Sequence, residues 1–91
     1  MERVLLVAHT KRSAAALENF LREVGLQAEF LISLSSVEAR RKLGDQNFDL
    51  VIINTPLSDE FGYELAQDMA QYTMAGVLLL AHAAYEKRHP S

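Results

Sequence analysis

Continuous apolar runs, rather than alternation of apolar and polar positions, set the pattern of this chain. Val4-Leu5-Leu6-Val7-Ala8, Leu50-Val51-Ile52-Ile53 and Val77-Leu78-Leu79-Leu80-Ala81 are each uninterrupted and rich in branched side chains. Such runs suit parallel strands with both faces buried. A fourth run, Ala28-Glu29-Phe30-Leu31-Ile32, carries a charge and is predicted as an edge strand. Between the runs the period changes to three and four. Ala14, Leu17, Phe20, Leu21 and Val24 mark one face of a helix over 11–24. Gly25 closes it, because a glycine after the last turn enters the left-handed conformation at little cost. Ser35-Ser36-Val37-Glu38 has the spacing of a capping box and opens a second helix, with Val37, Ala39 and Leu43 as its apolar side and Gly44 as its stop. A third helix is predicted to start near Asp59, with Phe61, Leu65, Ala66, Met69 and Tyr72 facing inward. A short fourth is predicted after Ala83, running toward His89, where Pro90 ends the pattern.

Strands that alternate with helices imply right-handed crossovers and a parallel sheet covered on both faces, an α/β doubly wound architecture. The 91 residues make a single small domain, 1–91, with no linker, repeat or biased tract. Hydrophobic residues at 49% and charged residues at 23% are ordinary globular usage, which excludes a disordered chain. Nine Lys and Arg against twelve Asp and Glu leave a net charge of −3, without the basic excess of a nucleic-acid surface. Cysteine is absent, so disulfides, zinc-thiolate sites and thiol catalysis are excluded. The apolar runs fall far short of the ~20 residues that span a bilayer. Met1-Glu2-Arg3 leads straight into a strand rather than a basic-then-apolar leader, so the expectation is a soluble, cytoplasmic protein.

The informative stretch is Phe48-Asp49-Leu50-Val51-Ile52-Ile53-Asn54-Thr55-Pro56-Leu57-Ser58-Asp59-Glu60-Phe61-Gly62-Tyr63-Glu64-Leu65. It resembles the third strand and following loop of a response-regulator receiver domain. In that family an acidic residue and an apolar strand lead to the phosphoacceptor aspartate, and a glycine follows in the loop. Here Asn54 stands at the acceptor position and Gly62 at the expected offset. Residues 3–7, the helix closing at Gly25 and residues 76–81 fall where the family has its first strand, first helix and fourth strand. The resemblance covers essentially the whole chain and implies a flavodoxin-like sheet of strand order 2-1-3-4. More narrowly, Asp49-Leu50-Val51-Ile52-Ile53-Asn54, with Pro56-Leu57, Asp59-Glu60-Phe61-Gly62 and Ala75-Gly76-Val77-Leu78-Leu79-Leu80, is similar to the receiver half of ANTAR-type regulators. The RNA-binding output domain of those regulators acts in transcription antitermination and has no counterpart in this sequence.

The resemblance also shows which chemistry is lost. Receiver phosphorylation uses a carboxylate nucleophile, a divalent cation held by acidic groups after the first strand, a hydroxyl after the fourth and a lysine after the fifth. An amide is a very poor nucleophile toward phosphorus. Magnesium prefers carboxylate oxygens and neutralises the charge of phosphoryl transfer. At the corresponding positions this sequence has Asn54, then Ala8 and His9, then Ala81, and the lysine has no counterpart. The degenerate site is therefore Asn54, Ala8, His9 and Ala81, with no catalytic residue and no enzymatic activity expected. Asp59, the nearest carboxylate, fits the start of a helix better than the tip of a strand.

Ligands of open α/β sheets bind beyond the carboxyl ends of the strands, where His9, Asn54, Thr55 and His82 are predicted to project. A flavodoxin-like small-molecule or metal sensor built on His9, Asn54 and His82 is the alternative reading. Two histidines without a spaced motif are outweighed by ordinary solvated ones, so no metal and no cofactor is expected. Thr10-Lys11-Arg12-Ser13 reads as a helix cap followed by solvated cations, lacking the glycines of a phosphate-cradling loop. Arg40-Arg41-Lys42 reads as a solvated face, and Tyr63, Tyr72 and Tyr85 as amphipathic rim residues.

Relative to a receiver, the fifth strand and last helix are missing, which implies a C-terminally truncated domain. The fourth strand then becomes an exposed edge with the composition of a buried one, a template for pairing with another chain. Val77, Leu78, Leu79 and Leu80 are the candidate interaction residues, and the expected partners are a second copy, in a homodimer, and an output domain or partner protein. Neither direct nucleic-acid binding nor a membrane is expected.

Overall fold

The apolar runs and the periodic segments between them fold as seven elements. The computed structural model describes residues 2–80, which form β1 (Glu2–Val7), α1 (Lys11–Glu23), β2 (Ala28–Ser33), α2 (Ser36–Asp45), β3 (Leu50–Asn54), α3 (Tyr63–Tyr72) and β4 (Gly76–Leu80). All strand pairs are parallel and the order is β2-β1-β3-β4, as expected. β1 and β3 lie inside the sheet, with Val4 beside Leu50 and Val7 beside Ile53. Val4, Leu5, Leu6, Val7, Val51, Ile52 and Ile53 are all buried, each stabilising the fold by about 1.5–3 kcal/mol. The pleat divides them. Leu5, Val7, Val51 and Ile53 pack with Ala39, Leu57, Leu65 and Met69 on the side of α2 and α3. Val4, Leu6, Ala28 and Ile52 pack with Leu17 and Leu21 of α1 on the other.

The helix ends follow their local chemistry. Thr10 caps α1, its hydroxyl accepting from the Ser13 N–H at 3.1 Å. At the other end Gly25 has φ +99°, its N–H donates to Arg22 O, and the Leu26 N–H donates to Leu21 O, a Schellman closure. Ser35 caps α2 by accepting from the Glu38 N–H at 3.1 Å, while the Glu38 carboxylate is engaged by Lys42 at 3.1 Å.

Several expectations are corrected. Gly44 does not stop α2, which continues to Asp45; positive φ occurs only at Gly25 and Gly62 among the described residues. α3 starts at Tyr63, after Gly62, and Asp59 belongs to the preceding loop. Phe20, Val24, Val37 and Tyr72 lie exposed, because each helix meets the sheet along a narrower stripe than its apolar residues mark. α1 rests on Ala14, Leu17 and Leu21, and α3 on Leu65 and Met69. The helix expected after Ala83 lies outside the described residues.

Candidate functional site

The carboxyl ends of β1 and β3 are neighbours, and α1 begins just after β1, so a crevice opens where these three meet. His9, Thr10, Ser13, Asn54, Thr55 and Pro56 line a cleft of about 230 Å³ there, and none of them carries a carboxylate. Asn54, half-buried, ends β3 beside Leu80 of β4. Ala8 is fully buried and its N–H donates to Ser33 O at 3.0 Å, closing β1 onto β2. His9 is exposed. The structure thus brings His9 and Asn54 to one cleft, while Ala8 is not among its lining residues. Ala81 and His82 lie outside the described residues. Among the described residues no group of His, Cys, Asp and Glu side chains is arranged to hold a metal ion.

Sequence reasoning placed Thr55 at this edge without a role. It is buried, and both its N–H (2.9 Å) and its hydroxyl (2.8 Å) donate to the Leu80 carbonyl. That double bond ties the end of β3 to the end of β4. The following peptide, Thr55–Pro56, is cis. The loop then returns to the strand end at Gly62, whose φ of +120° only glycine adopts without strain. A Cβ there would lie 2.9 Å from Thr55 Cγ2 and 3.3 Å from Ile53 Cγ2.

Asp59 does not open α3, as its position had suggested. Its carboxylate accepts from the Ser36 N–H (3.0 Å), the Ser36 hydroxyl (3.1 Å) and the Val37 N–H (3.2 Å), at the start of α2. The Ser36 backbone bond, more than any other contact, holds the Asp59 carboxyl below the usual carboxylate range, against a smaller desolvation effect. Nothing in the sequence around Asp59 signals a partner 23 residues upstream; the only cue is a carboxylate placed too early for the helix that follows it.

The basic patch Arg40-Arg41-Lys42 is partly consumed within the fold. Arg40 donates to Asp68 of α3 at 2.6 Å and lies 3.7 Å from Glu60. The Asp68 hydrogen bond raises its already high pKa further. Lys42 donates to Ile32 O at 2.9 Å and pairs with Glu38. Tyr63 is half-exposed and stacks on Phe61 with ring centroids 4.8 Å apart. The proposed interaction strand divides by parity. Val77 and Leu79 pack toward the α2–α3 core and Leu80 toward the α1 side, leaving Leu78 as the exposed member at 48%.

The described sheet thus has four parallel strands in the order 2-1-3-4, a crevice at the ends of β1 and β3, and a glycine locking the loop after β3. No protein-family model matches the chain, and no curated protein matches it in sequence. Solved structures do. The response regulator TrrA of Thermotoga maritima, in complex with Mg2+–BeF, matches with a TM-score of 0.80 at 27% identity, over 96% of this chain and 76% of that one. The same regulator in complex with the histidine kinase ThkA matches at 0.76 and 28% identity, over 89% and 69%. The MaeR response regulator bound to beryllium trifluoride matches at 0.81 and 20% identity, over all of this chain and 80% of that one. The fold is that of a response-regulator receiver domain. Within this receiver fold the crevice between β1 and β3 is present, and its described lining carries no carboxylate. No described helix is long and apolar enough to cross a membrane.

Proposed function

We propose that this chain is a phosphorylation-incompetent, receiver-like regulatory module of a two-component-type system, acting by protein–protein contact and without enzymatic activity. One observation carries the reading: Asn54 presents an amide at the end of β3, and none of the described residues lining the cleft around it carries a carboxylate. An amide does not accept a phosphoryl group, and without acidic oxygens there is nothing to hold the magnesium ion that neutralises the transferred charge. Asp59, a carboxylate of the loop after β3, is occupied by three donors at the start of α2. The resemblance of residues 49–54, 56–57, 59–62 and 75–80 to ANTAR-type receivers supports a place in a transcription antitermination regulator, and the edge position of β4 in the described sheet supports self-association as a homodimer.

Incubation with acetyl phosphate and magnesium, followed by intact-mass measurement, tests the reading. The expected result is an unmodified chain, and an amide NMR spectrum unchanged by beryllofluoride. Asn54→Asp alone should not restore modification, because Ala8 and His9 supply no carboxylate for magnesium. A stable acyl-phosphate on the parent chain would overturn the proposal.

A further inference from the structure

The loop over 55–62 borders the cleft and leads into α3, yet its middle is fastened to α2. α2 begins with three backbone N–H groups that no helical carbonyl serves, those of Ser36, Val37 and Glu38. Ser35 takes the Glu38 N–H. Asp59, reaching across from the loop, takes the other two and the Ser36 hydroxyl as well. Further ties hold the loop in that position. The Ser58 hydroxyl donates to Leu34 O at 3.2 Å, just ahead of α2. Leu57 is buried in the core shared by α2 and α3, and its N–H donates to Glu60 O. Glu60 accepts from the Leu65 N–H at 3.2 Å and faces Arg40 of α2. At its ends the loop is pinned by the Thr55 bonds to Leu80 and by the close approach of Gly62 to Thr55 and Ile53.

The N-terminal turn of α2 is therefore complete only while the loop is docked, and the middle of the loop is docked in part through that turn. The geometry points to a latch: Asp59 joins the cleft-bordering loop to the first turn of α2, so that the cleft and the start of α2 open and close as one unit. A negative charge at a helix N-terminus is favourable, and removing such a cap frees the first turn. Linkage makes the effect reciprocal: a perturbation that lifts the loop from the cleft loosens α2, and one that draws on the start of α2 loosens the cleft. The role is a positioning one, relaying conformation between two surfaces.

Residue-resolved amide exchange of the full chain at neutral pH tests the latch, comparing the parent with Asp59→Asn. The amides of Ser36 and Val37 are expected to lose protection several-fold, together with those of Thr55, Leu57 and Leu65, while Leu5 and Val7 keep theirs. Ser58→Ala, which removes a second tie, should move the same set by a smaller factor. A change confined to Ser36 and Val37 would reduce Asp59 to an ordinary cap and overturn the coupling. Loss of protection extending to Leu5 and Val7 would mean general destabilisation, and no change at all would show that the loop is held without Asp59; either also overturns it.

Discussion

A methyl group added at Gly62 would sit 2.9 Å from Thr55 Cγ2 on a backbone whose φ is +120°. Neither problem can be relieved without moving the end of β3, because Thr55 is itself fixed to Leu80. Gly62→Ala is therefore expected to destabilise the protein by about 1–3 kcal/mol, measured by urea denaturation. Gly44 is the opposite case. It lies in α2 without positive φ, and a Cβ there meets nothing within 4 Å. Gly44→Ala should stabilise by about 0.5–1 kcal/mol, since alanine has less backbone freedom to lose in a helix. A gain at Gly62, or a loss at Gly44, would contradict these assignments. Gly62 was legible in the sequence only through its offset from Asn54, as a family feature. Gly44 was misread, because a glycine near the end of a helical period looks like a stop whether or not the chain turns there.

At the scale of elements, strands were easier to read than helix faces. A strand buried on both sides leaves a continuous apolar run, and β1 and β3 match theirs closely. A helix resting on a sheet leaves a stripe whose width depends on how many neighbours flank it. Phe20, Val37 and Tyr72 continue the stripe in sequence but fall beyond the contact. The start of α2 was half legible: Ser35 caps it as its position predicts, whereas Asp59 contributes from a distant loop that local spacing does not reveal. That second contribution has a pH signature. Because bonds from Ser36 and Val37 hold the Asp59 carboxyl below its ordinary value, its contribution is complete above the usual carboxylate pKa of ~3.9 and is lost as pH falls through the lower folded value. Melting temperatures of the parent and Asp59→Asn should differ most near neutrality and converge toward pH 3. A gap that persists undiminished at pH 3 would show that the charge of Asp59 is not what matters there.

At the scale of the whole molecule, the strand order followed from the alternation of elements together with the family resemblance, but how well β4 is covered did not. Its uncharged run suggested a strand in need of cover on both faces. In the structure Val77 and Leu79 already pack toward α3, so one face is served. The other is served only in part: Leu80 packs toward the α1 side, but Leu78, beside Ile52, lies half in solvent. Exposed apolar surface of this kind costs roughly 25 cal/mol per Å² and adjoins the outer backbone edge of β4 in the described sheet. Pairing of two β4 edges about a two-fold axis would satisfy that edge and bring the two Leu78 side chains to the same face. The substitutions at 78 and 79 should therefore separate association from folding. Leu78→Lys is expected to shift the protein toward monomer with little change in melting temperature. Leu79→Lys should instead destabilise the protomer by at least about 2 kcal/mol, because it places a charge against the α2–α3 core. Sedimentation equilibrium at micromolar concentration decides whether association occurs at all: the parent is expected to be dimeric, and a concentration-independent, well-folded monomer would remove β4 as an interface.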